Sequence, residues 1–250
     1  MHTRHLQAVG LALAGAFALA MPALAADTQV AVAANFTEPA KEIATAFRAA
    51  TGHNAILSFG SSGEFYVQME HGAPYEVFLS ADAERPKKAE QAGLGVIGSR
   101  FTYAIGRLVL FSKTPGLVGP AGEVLNGTGF NKIAIADPAS APYGAAAVAT
   151  MRKLGVYDRL RSKIVVGTSI TQSFQFVQTG AADLGFVALS QVVKPGGSRW
   201  VVPQSYHAFI EQQAILLTIG QKNPAAKAFL VFLKTPTSVA IIKRYGYEVR

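Results

Sequence analysis

Short apolar, β-branched runs alternate with segments of helical period, and the whole alternation occurs twice along the chain. Strands that feed helices and then further strands build a mostly parallel sheet flanked by helices, so the chain reads as α/β. In the first set, strands are predicted at 29–33, 55–59 and 75–80, and helices at 39–50, 63–70 and 84–91. Ala40, Ile43, Ala44 and Phe47 give the first helix one apolar face, and Gly52 closes it. The second set places strands at 105–111, 132–136, 163–166 and 184–188, with helices at 143–154 and 170–178. Extended segments at 201–203 and 213–219 and helices at 224–233 and 236–244 follow. No Gly/Ser-rich linker divides the sets, so two lobes joined by strand-like crossings are expected. One lobe is read as 26–104 plus 213–250, the other as 105–212. With the tail packed back on the first lobe, the chain crosses twice, and a ligand crevice lies between the lobes at the strand carboxyl ends.

Residues 1–25 read as an export leader. Arg4 sits in a short polar start, an apolar run spans 6–20, and Ala23 and Ala25 fit the A-x-A cleavage rule, with the cut after Ala25. The run is about 15 residues against the roughly 20 of a membrane span. An exported chain without cysteine has no disulfide scaffold, zinc–thiolate site or thiol nucleophile. The net charge of +8 invites a nucleic-acid reading. The basic residues are scattered, however, without a run of five or an interleaved aromatic stripe. No nucleic acid is expected as a partner.

Four strand-to-helix bends carry small hydroxyl, amide or backbone-rich residues and neither Lys nor Arg. They are the segment from Ala33 to Pro39, Gly60-Ser61-Ser62-Gly63, the segment from Asp137 to Gly144, and Gly167-Thr168-Ser169-Ile170. Each is followed by a helix, whose first N–H groups lack partners and carry the positive end of the dipole. Any one bend is explained by ordinary capping, as for Ser169 or Thr37. Four at matching positions in two halves point to an anion held between them.

Enzyme readings have less to stand on. Gly60-Ser61-Ser62-Gly63 is not a nucleophile elbow. His53, His71 and His207 are too far apart for a zinc helix, and P-loop and dinucleotide fingerprints are missing. A hydrolase built on Ser62 with Glu64 as base is the remaining enzyme alternative. No cofactor is implied.

The bends resemble a known family across nearly the whole exported chain. VAVAANFTEPAKEIATAF at 30–47, SFGSSGEFYVQMEHGAP at 58–74, VFLSAD at 77–82, ADPASAPYGAAA at 136–147, DLGFV at 183–187 and IIKRYGYEV at 241–249 are similar to the periplasmic molybdate-binding proteins of ABC importers. The resemblance implies a two-lobed periplasmic-binding-protein fold of type II kind. It also implies a monomer in the periplasm that delivers molybdate or tungstate to a membrane permease. By position, the family's ligand contacts fall on Asn35, Ser62, Tyr143 and Ile170, with Ala34, Ser61 and Ser169 as secondary candidates. Where some members place a tyrosine after the L-G-x-V strand this chain has Ala188, and the Tyr143 hydroxyl is the expected substitute.

Molybdate and tungstate are tetrahedral dianions that only accept hydrogen bonds, so a cage of donors suits them. Each charge-assisted bond contributes about 1.5–3 kcal/mol, offset by desolvation of the ion. Sulfate has the same charge, so a cage must reject it by size, through stretched hydrogen bonds. Sulfate, thiosulfate or another oxyanion remains the alternative ligand. Ser62→Ala and Asn35→Ala are each expected to weaken binding and leave the free chain nearly as stable.

Overall fold

The computed structural model describes residues 25–249. The leader therefore lies, except for Ala25, outside the described residues. The chain forms two lobes, each built on a five-stranded mixed sheet.

The first sheet runs β2-β1-β3-β10-β4. Its strands are β1 (Asp27–Ala33), β2 (Asn54–Gly60), β3 (Val77–Ser80), β4 (Phe101–Gly106) and β10 (Ile210–Leu216). β1 lies parallel between β2 and β3, while β10 returns antiparallel between β3 and β4. The second sheet runs β7-β6-β8-β5-β9. It comprises β5 (Leu108–Ser112), β6 (Ile133–Ala136), β7 (Ile164–Gly167), β8 (Leu184–Ala188) and β9 (Ser198–Val201). Its parallel core of β7, β6 and β8 repeats the arrangement of β2, β1 and β3. In both lobes the strand order reverses beside the central strand, which opens a crevice at the strand carboxyl ends.

Helices α1 (Thr37–Thr51), α2 (Ser62–Glu70) and α3 (Glu84–Gln91) cover the first sheet. Helices α4 (Pro142–Lys153), α5 (Tyr157–Leu160) and α6 (Ile170–Thr179) serve the second. The apolar face expected of α1 is the face it buries: Ala40, Ile43 and Phe47 are fully covered. Phe47 stands edge-on to Phe229 of α7 (Pro224–Phe232), and α8 (Pro236–Arg244) also packs on α1. The tail thus belongs to the first lobe.

One expected element is corrected. The run 105–111 is not a single strand: β4 ends at Gly106, β5 begins at Leu108, and the two lie in different sheets. Arg107 between them is one crossing, and the stretch between β9 and β10 is the other. Both strands are buried on either side of the half-buried Arg107, which is the one charged residue of the run and sits at the break. Gly106 marks it sterically, because a Cβ there would lie 2.2 Å from the Tyr143 hydroxyl. The extended segment expected at 213–219 is β10, three residues earlier.

Candidate functional site

The four bends meet between the lobes around one small pocket of about 10 Å³. From the first lobe come Ala33, Ala34 and Asn35 after β1, Gly60, Ser61 and Ser62 after β2, and Ala81 after β3. From the second come Ala141, Pro142 and Tyr143 at the head of α4, and Ile170 at the head of α6. Asn35, Ser62, Tyr143 and Ile170 are therefore brought together, along with the secondary candidates Ala34 and Ser61. Ser169 does not line the pocket, nor does Ala188. None of the lining side chains carries a formal charge.

The pocket's chemistry follows from where these residues sit in their helices. Ser62 and Ile170 are the first residues of α2 and α6, and Tyr143 is the second of α4. Their N–H groups precede the first intrahelical acceptor, so they face outward unpaired by the helix. Ala34 and Asn35 open a short 3₁₀ turn, Ala34–Phe36, with the same consequence. The Ser62 hydroxyl accepts the Ala81 N–H at 2.9 Å. A hydroxyl fixed as an acceptor still has its own proton to donate. Donors thus converge from both lobes with the positive ends of three helices behind them.

Local capping explains why the bends take this shape. Ser61 and Glu64 form a reciprocal capping box: Glu64 N–H donates to Ser61 Oγ at 3.3 Å, and Ser61 N–H to Glu64 Oε2 at 3.2 Å. The Glu64 carboxylate is engaged in starting α2, while the Ser62 hydroxyl is hydrogen-bonded to the Ala81 N–H. Ser169 caps α6 by accepting from Gln172 N–H. Pro142 opens α4, where its missing N–H costs nothing.

The lobes touch around the rim. Gly63 N–H donates to Ser140 O at 2.8 Å, Thr171 Oγ1 to Ala34 O at 3.2 Å, and Arg85 Nη2 to Ala139 O at 3.1 Å. The Arg85 guanidinium is paired with Asp82 and stays outside the pocket lining. Ala33, Ala34 and Ala81 of the first lobe pack into the apolar cluster of the second.

The Tyr143 hydroxyl also has a partner in the protein. It accepts from Gln212 Nε2 at 3.4 Å and abuts Gly106 at the crossing. Tyr143 lines the pocket, its main-chain N–H is free of any intrahelical acceptor, and its hydroxyl keeps a proton to donate. Sequence reasoning also missed Ala81 as a wall of the pocket, although it directly follows a predicted strand. It missed the buried polar cluster behind Asn35 as well, formed by Tyr103, Ser190, Gln212 and Tyr247. Its members are distant in sequence, and no periodicity links them.

Burial pushes the Tyr247 hydroxyl up to about 12 and holds those of Tyr103 and Tyr143 well above the usual phenol value. The sign follows from linkage. A phenol with a raised folded pKa contributes stability that is complete below its unfolded value near 10, and loses it as pH climbs through the folded value. For Tyr247 alone the unfolding free energy is expected to fall by on the order of 2 kcal/mol across that window. Denaturant melts at stepped alkaline pH measure it, and a flat profile would contradict burial of these phenols.

The fold and this pocket define a two-lobed binding protein, and the comparisons agree. The chain belongs to the bacterial extracellular solute-binding proteins, whose family pattern matches residues 28–248. It is 56% identical over 243 residues to the molybdate-binding protein ModA of Rhodobacter capsulatus, covering 97% of this chain and 96% of that one. It is 54% identical over 240 residues to ModA of Azotobacter vinelandii, covering 94% and 95%. The solved structure of the periplasmic molybdate-binding protein of Azotobacter vinelandii superposes with a TM-score of 0.87 at 43% identity, covering 89% of this chain and 99% of that one.

Proposed function

We propose that this chain binds molybdate, and tungstate alongside it, in the pocket between its lobes and delivers the ion to an ABC-transporter permease. In this reading the leader is cleaved after Ala25, and the protein works in the periplasm as a monomeric carrier and not as an enzyme. The relatives' names supply the ion. The observation that carries the reading is the convergence of uncharged donors from two lobes on one small pocket. The ligand contacts are the N–H groups of Asn35, Ser62, Tyr143 and Ile170 with the Ser62 hydroxyl, and the Ala34 N–H beside them. Ser61 and Ser169 act as helix caps. Closure proceeds by rotation about the two crossings, at Arg107 and between β9 and β10.

A guest that accepts hydrogen bonds without donating any finds only donors here. No carboxylate lines the pocket to favour a protonated oxyanion. Calorimetry and thermal melts with molybdate, tungstate and sulfate test the reading. At about 100 times its dissociation constant, molybdate is expected to stabilise the fold by about 2.7 kcal/mol. Tungstate is expected to match it, and sulfate at the same concentration to do much less. An unmoved melting temperature with molybdate would refute the assignment, and stronger stabilisation by sulfate would transfer it to that ion.

A further inference from the structure

Behind the pocket, Asn35 sits at the centre of a buried polar cluster that reaches both lobes. Asn35 lines the pocket, while its side-chain amide and carbonyl are engaged by the cluster. Asn35 Nδ2 donates to Gln212 Oε1 at 2.8 Å and to Tyr247 Oη at 2.9 Å. Its carbonyl accepts from Tyr247 Oη and from Ser190 Oγ, each at 2.7 Å. Gln212 and Tyr247 belong to the first lobe, with Gln212 on β10 and Tyr247 just beyond α8. Each reaches an arm across the gap: Gln212 Nε2 donates to Tyr143 Oη at 3.4 Å, and Tyr247 Oη lies 3.0 Å from Ser190 Oγ, the two hydroxyls sharing the Asn35 carbonyl as acceptor. Tyr143 heads α4, and Ser190 follows β8, so the arms grip two separate elements of the second lobe. Gln212 is fully covered, and Tyr247 is 5% exposed.

We infer that Tyr247 and Ser190, with Gln212, form a latch that ties closure of the lobes to the position of the Asn35 backbone in the pocket. Tyr247 and Gln212 do not line the pocket. They are positioning residues, acting on the ligand through Asn35 and Tyr143. Opening the lobes separates Ser190 from Asn35 and Tyr247, and each group then needs water in place of its partner. A buried polar network of this kind holds one arrangement and penalises intermediates. The latch favours the closed state and slows release of the ion. This inference rests on the molybdate reading for its ligand, although the latch itself can be measured without one.

The test uses Tyr247→Phe, Ser190→Ala and the double variant. Calorimetry with molybdate is combined with inter-lobe distances from spin labels on one introduced cysteine per lobe, since the natural chain has none. Each single variant is expected to lose about tenfold in affinity, mostly through faster dissociation. The double variant is expected to lose far less than the product of the two, because both changes break one shared unit. Without ligand, the variants are expected to shift toward longer inter-lobe distances. With saturating molybdate they should reach the wild-type closed distance. A purely structural role would lower the unfolding midpoint and leave affinity and distances unchanged, which would overturn the inference; so would fully additive losses. If the wild type takes up no molybdate, the proposed ligand fails on its own. The distances of the free chains then decide the latch, and identical distributions in wild type and Tyr247→Phe would overturn it.

Discussion

Replacing Gly144 by alanine is expected to destabilise the fold by about 3 kcal/mol, although the site lies inside a helix where alanine normally helps. A Cβ at Gly144 would stand 2.2 Å from Ala136 O, 2.7 Å from Ala136 C and 2.9 Å from Asp137 C. All three are backbone atoms at the end of β6, so no side-chain rotation relieves the clash. Forced overpacking costs about 1–3 kcal/mol and more where the backbone must move. Alanine gains only about 1 kcal/mol over glycine in a helix interior. The steric term wins. A loss of that size lowers the melting temperature of a domain pair this large by about 6–12 °C. Because Tyr143 is the preceding residue, lifting the head of α4 also carries its N–H out of the pocket, and molybdate affinity is expected to fall in parallel. A melting temperature equal to or above that of the wild type would mean α4 does not seat on β6 as described.

The same close seating shows what was readable in the sequence. The bends were legible because Gly, Ser and Pro punctuate them. Gly60-Ser61-Ser62-Gly63 announces a turn and a cap, and Pro142 announces the first turn of a helix. That pattern groups the four bends; the choice of Asn35, Ser62, Tyr143 and Ile170 within them is what the family resemblance implies, and the pocket lining includes all four. The split at Arg107 was not legible. A single Arg107 in an otherwise apolar run reads as one outward residue of a continuous strand, and its role as the crossing emerges only from the two sheets that flank it, with Gly106 leaving room for the Tyr143 hydroxyl. The latch was also invisible. Asn35 meets Gln212 across 177 positions and Tyr247 across 212. Tyrosines in apolar runs read as ordinary core residues. Local pattern reports which face is buried but carries no information on which distant hydroxyl a buried amide will find.

The pocket also illustrates how charge is managed without charged side chains. Arg85, a cation at the rim, is neutralised by Asp82 and its guanidinium is further anchored on Ala139 O. The doubly negative guest then depends on helix ends and amides, whose donors are fixed by the fold itself. Once the lobes are closed, such a cage needs little further reorganisation around the ion, and its size follows from backbone positions. Under the proposed function, discrimination by size rests on the rigidity of the bends, to which capping by Ser61 and Ser169 contributes.

Ser62→Ala is expected to reduce molybdate affinity about a hundredfold, within the range of one charge-assisted hydrogen bond of about 1.5–3 kcal/mol. Ser62 is 1% exposed, and its hydroxyl both accepts from Ala81 N–H and keeps a proton for the guest. Removing the oxygen deletes the donor and strands the Ala81 N–H in the interior. An unsatisfied buried donor costs about 1–3 kcal/mol, so the free protein is expected to lose stability as well. That revises the expectation from sequence, which left the stability of the free chain nearly untouched. Asn35→Ala is revised in the same direction, since its amide joins Gln212 to Tyr247. Calorimetry of the Ser62 variant separates the two effects. The affinity loss is read at a temperature where the chain is fully folded, and the stability loss from its denaturant midpoint at unchanged slope. An affinity within twofold of the wild type would remove the Ser62 hydroxyl from the ligand's contacts, whatever happened to the midpoint. A hundredfold loss with an unchanged midpoint would keep the contact and show that Ala81 N–H finds another acceptor.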